Sequence, residues 1–132
     1  MIKLFTLERA TRLLPVVEAH LDVLQTSVRD AAALGREATS LRPGGIAARN
    51  LANELGFVIH TAHDAKAELD RLGVEVIDAE DGSVAFPAQV GGEMVALTWR
   101  RGQDAITHYR RLDGATGTTA DERPLAARGD AA

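Results

Sequence analysis

Apolar residues recur at alternating steps of three and four positions through the first part of the chain, in two separate ladders. The first reads Leu7, Ala10, Leu14, Val17, Leu21, Leu24, Val28, Ala31. The second reads Ala48, Leu51, Leu55, Val58, Ala62, Ala65, Leu69, Leu72. That spacing keeps one apolar seam along one side of an α-helix. A stretch bearing Gly and Pro, from Gly35 to Gly45, separates the ladders. The pattern therefore predicts two long helices folded back on each other as an antiparallel hairpin over residues 6–73. Thr6 is placed to cap the first helix, and Glu8 suits the positive end of its dipole. Pro15 removes a backbone donor near the start, so a kink or a break is expected there. The first helix is expected to end near Leu34 and Gly35, Pro43 to sit in the first turn of the second, and Gly73 to stop it.

A shorter stripe of Leu13, Val16 and Val23, interrupted by His20, flanks the first half of helix one. In an antiparallel hairpin this half lies beside the end of helix two, where the chain passes into its C-terminal region. The stripe is thus expected to dock the rest of the domain, while the distal half, from about Ser27 to Asn50, projects.

From Val74 the period changes to two, the signature of strands. Asp81-Gly82 and Gly91-Gly92 read as turns. Counting outward from Gly91-Gly92 sets Ala88 opposite Val95, Phe86 opposite Leu97 and Val84 opposite Trp99, which puts all six on one face. A turn at Arg101-Gly102-Gln103-Asp104 leads to a last strand from Ala105 to Arg111. The predicted fold class is α+β: a long helical hairpin packed at its base on a three- to four-stranded antiparallel β-meander over residues 74–111. Residues 1–113 form one domain in this reading, and 114–132, rich in Gly, Ala, Thr and charge, form a flexible tail.

Composition narrows the function without naming it. At 132 residues the chain has one modest core, and no apolar run approaches a membrane span. The absence of cysteine excludes disulfides, thiolate metal sites and a cysteine nucleophile, and makes the cytoplasm the expected compartment. A formal charge of -4 disfavours nucleic acid as a partner. No phosphate-binding loop, serine triad or paired carboxylate stands out, so no cofactor is expected and an enzyme ranks third, behind an interaction module and a ligand-binding protein. Arg128-Gly129-Asp130 spells an adhesion tripeptide that reads as chance here.

Three segments carry a family resemblance. They are Phe5-Thr6-Leu7-Glu8 with Leu13-Leu14-Pro15, Gly73-Val74-Glu75 with Gly82 to Phe86-Pro87-Ala88, and Leu97-Thr98-Trp99-Arg100 with Gly102. Together, with an echo at Arg123-Pro124-Leu125, they resemble the prokaryotic family catalogued as domain of unknown function 2203. The family pattern has an acidic residue at the place of Ala85, cysteine at Thr98, glutamate at Gln103, and Trp-His at Tyr109-Arg110. The resemblance implies membership and no particular activity.

Three groupings are candidate sites. His60, His63 and Asp64 have the three- and four-residue spacing with which a helix presents metal ligands, although the seam places them on its solvated side. His20 lies within the second apolar stripe, and strand parity from Ala105 sets His108 on the face of Ile106 and Leu97. The two imidazoles would then meet at the junction of helix and sheet, with Tyr109 nearby. Arg100 and Arg110, beside Arg101 and Arg111, form a basic patch able to meet a carboxylate or phosphate. The leading expectation is an interaction or scaffold module that self-associates through its hairpin, or pairs with another protein. The alternative is a small-ligand or metal-binding protein using the His20 and His108 junction.

Overall fold

The protein, seen in a computed structural model, is described over residues 4–113 and 117–125. Helix α1 spans Leu7–Ala38 and α2 spans Ile46–Leu72, packed along each other as the predicted hairpin. At about 1.5 Å per residue they are roughly 48 and 40 Å long. The Thr6 hydroxyl accepts from the Arg9 amide at 3.1 Å and caps α1. Gly73, at a φ of 88°, closes α2 in the left-handed conformation that a side chain would resist.

Two helix details differ from expectation. α1 is not broken at Pro15. Pro15 and Thr11 both lie on the exposed side, so water can serve the Thr11 carbonyl that loses its amide partner. The helix also runs past Gly35 to a Thr39 cap, and α2 begins after Gly45, which leaves Pro43 in the connection rather than in the first turn.

The sheet consists of β1 (Glu75–Asp78), β2 (Ser83–Val90), β3 (Glu93–Arg100), β4 (His108–Asp113) and β5 (Gly117–Pro124). They follow one another in sequence order and pair antiparallel throughout. The central hairpin has the predicted register: Ala88 faces Val95, Phe86 faces Leu97 and Val84 faces Trp99. Gly91 and Gly92, at φ of 60° and 77°, supply the two left-handed residues that such a tight turn needs. The N-terminal segment adds a short parallel bridge to β2. The Phe5 amide donates to the Pro87 carbonyl at 2.7 Å, and the Gln89 amide donates to the Phe5 carbonyl. This bridge draws on a carbonyl of Pro87, not on the amide hydrogen that proline lacks.

The fifth strand corrects the expected boundary at Asp113. Gly117–Pro124 continues the sheet, and Leu125 beyond it is buried. The rest of the expected tail, including Arg128-Gly129-Asp130, lies outside the described residues. The last core strand also begins at His108, not at Ala105.

One core joins the layers. Leu14, Val17, Leu21 and Leu24 of α1, with Ala65 and Leu69 of α2, pack on Val84, Phe86, Val95, Leu97 and Trp99. Phe5 meets Phe86 edge to face at 5.4 Å between ring centres. The second stripe of α1 is therefore not the docking face. Its Val16 and Val23 remain about 43% and 41% exposed, because the first seam is shared between α2 and the sheet. Only Leu13 of that stripe packs against the core.

Candidate functional site

The alternation that sends Val84, Phe86, Leu97 and Trp99 toward the helices sends Ala85, Thr98 and their neighbours to the outer face. Cross-strand register extends this row, since Thr98 pairs with His108 and His108 pairs with Pro124. One step along, Ala96 pairs with Arg110, and Arg110 with Glu122. Glu122 reaches back over β4, about two strand spacings, to accept from the Thr98 hydroxyl at 2.6 Å. The same carboxylate lies 4.0 Å from Arg110 Nη2, and Arg110 Nε is buried without a hydrogen-bond partner among the described residues. Arg100 stands at the rim with its Nε 3.6 Å from Asp81. These groups border a small cavity of about 90 Å³, to which His108 and Gln103 also contribute.

This arrangement overturns the predicted His20 and His108 junction. Leu97 pairs with Tyr109, so Tyr109 turns into the core and His108 to the outer face, away from α1. The expected parity assumes a strand starting at Ala105; the longer β3–β4 connection shifts it by one residue, and each such shift exchanges the faces. His20 is half-buried on α1, on the other side of the sheet. Tyr109, only 6% exposed, is a core residue. Arg100 and Arg110 are brought together with His108, as a basic patch would require, while Arg101 turns away to bind α1.

His60 Nε2 lies 3.4 Å from Asp64 in an exposed pair one helical turn apart. His63 instead lines a groove on the hairpin. Among the described residues no group of three or more His, Asp or Glu side chains is arranged to hold a metal ion.

That groove is the second feature of note. It is bordered by Leu24, Val28 and Ala31 of α1 and Ile59 and Ala62 of α2, with a volume of about 260 Å³. It opens where the cover of the sheet ends, past Leu24 and Ala65, the last buried seam residues in the main core. On the projecting half of α2, Phe57 is 72% and Ile46 77% exposed.

Sequence reasoning misses Thr98 and Glu122. Thr98 lies on the polar side of a strand of which only the apolar side is legible, and Glu122 lies in the segment expected to be a tail. The echo at Arg123-Pro124-Leu125 is the one signal that this segment is structured.

The family model for the uncharacterized conserved protein of domain of unknown function 2203 matches residues 3–120. Thr98, Gln103 and Arg110 border the outer-face cavity, and Ala85 pairs with Thr98, whereas Tyr109 lies in the core. No curated protein and no solved structure matches the chain. With a match over nearly its whole length, the chain belongs to this family of conserved proteins.

Proposed function

We propose that the protein is a cytoplasmic interaction module that self-associates through the free half of its helical hairpin. The observation that carries this reading is the uncovered apolar groove of Leu24, Val28, Ala31, Ile59 and Ala62. Contiguous apolar surface of this kind on a monomer marks an interaction face. Phe57 and Ile59, two positions apart and so on opposite flanks of α2, extend the apolar surface to both sides of the seam. A second copy supplies a matching surface, because a two-fold axis sets each hairpin against its own equivalent and completes a four-helix bundle. The small side chains of Ala31 and Ala62 allow close approach at that contact.

Sedimentation equilibrium at micromolar concentration tests the reading. A dimer that Ile59→Glu returns to the 14.1 kDa monomer supports it, and a 14.1 kDa species throughout sinks it.

A further inference from the structure

The outer face of the sheet, opposite the helices, holds a set of groups that self-association does not use. Arg110 is the key residue. Its side chain is 23% exposed, its Nε is buried without a hydrogen-bond partner among the described residues, and its contact with Glu122 is 4.0 Å, beyond hydrogen-bond length. A guanidinium carries five donors and keeps its charge at every physiological pH, so an orphaned, desolvated Nε is unfavourable until a ligand meets it. The Glu122 carboxylate is already engaged by the Thr98 hydroxyl at 2.6 Å, which holds it to one side of the guanidinium. Beside Arg110 the cavity of about 90 Å³ is bounded on its other sides by Arg100 and His108, with an apolar contribution from Ile77.

We infer that this cavity binds a small monocarboxylate, with Arg110 as its anchor and Arg100 at its rim. The planar fork of a guanidinium matches a carboxylate in two parallel hydrogen bonds, and a modest turn of the Arg110 head would bring Nε into that pairing. Charge selects the ligand class. Arg100 and Arg110 are opposed by Asp81 and Glu122, so the local sum is zero before binding. One added negative charge can be met by the Arg110 fork, whereas a phosphate dianion would set two charges beside the fixed Glu122 carboxylate. The cavity volume limits the ligand to a short chain, whose alkyl end would lie against Ile77.

The test is a titration of the ¹⁵N-labelled full chain with sodium acetate at constant ionic strength, set by sodium chloride. The readouts are the Arg110 Nε–H resonance and the backbone amides of Thr98 and His108. A saturable shift of all three is the expected result, and a linear drift equal to that from chloride overturns the assignment. Sodium phosphate is the second arm; binding as tight as that of acetate overturns the carboxylate class. Arg110→Lys keeps the charge and removes the fork, and should weaken acetate by about tenfold. Glu122→Gln removes the like charge and should tighten it several-fold, where abolished binding would contradict the geometry. Circular dichroism verifies the fold of each variant. Should Arg110→Lys not fold, Arg100→Ala replaces it, with a loss of about threefold expected and an unchanged affinity counting against the site.

Discussion

The Arg101 guanidinium donates to the Asp22 carboxylate at 3.0 Å, and so ties the turn after β3 to the middle of α1. The same side chain donates to the Gln25 oxygen at 2.9 Å, and the Gln25 amide donates to the Glu80 carbonyl at the same distance. Two turns of the sheet are thereby fastened to one stretch of helix. Asp22 is 59% exposed, so solvent screens much of the attraction. Arg101→Ala should cost about 1 kcal/mol in urea unfolding, and Asp22→Ala less, because the Gln25 contact survives.

Gly82 sits beneath this clasp with a φ of +74°, where an added Cβ would lie 2.8 Å from the Arg101 Cβ. Backbone strain and overlap act in the same direction. Gly82→Ala should destabilise by about 1–3 kcal/mol, read from thermal or urea unfolding. A wild-type midpoint would show that the turn can move away from α1.

Leu21 is fully buried between the hairpin and the sheet. Leu21→Ala should cost about 2–5 kcal/mol, the range for a cavity opened in a tight core. Val16→Ala, on the exposed stripe, should stay within about 0.5 kcal/mol. Comparing the two in urea separates the seam that carries the fold from the one that does not.

Removing residues 114–132 should destabilise the protein rather than leave it unchanged. The deletion takes away β5 and the buried Leu125, and it leaves β4 as an unpaired edge. Leu125→Ala alone should cost about 2–3 kcal/mol. Equal melting temperatures for the full and shortened chains would contradict the five-stranded sheet.

If the hairpin self-associates, its stability must depend on concentration, since a dimer gains free energy by mass action. The melting temperature of the full chain should rise between about 1 and 100 μM protein, and Ile59→Glu should remove that dependence. A midpoint independent of concentration would count against the dimer.

The contrast between β2–β3 and β4–β5 shows how far the sequence can be read. Val84, Phe86, Val95 and Leu97 alternate with polar or small residues and flank a Gly-Gly turn of fixed length, so face and register emerge together. The helical ladders are legible for the same reason, since a periodic pattern maps directly onto a buried face. The connection from Arg101 to Thr107 has no such fixed length. One residue of difference there exchanges His108 with Tyr109 across the sheet and takes His108 out of the predicted site. β5 offers even less. Gly117-Thr118-Thr119-Ala120-Asp121-Glu122-Arg123-Pro124 has no apolar alternation, and the strand is held through backbone pairing to β4. Glu122 could not be placed beside Thr98 without that pairing.

The strict succession of strands from β1 to β5 has a kinetic consequence. Each strand neighbours the one before it in sequence, and the two helices do likewise, so most pairing closes short loops. Such chains search little conformational space before native contacts begin to form, and folding within about milliseconds is the expectation. The hairpin and the meander can each form locally. The Phe5 bridge and the Arg101 clasp, which join distant parts of the chain, would then form as the two halves meet.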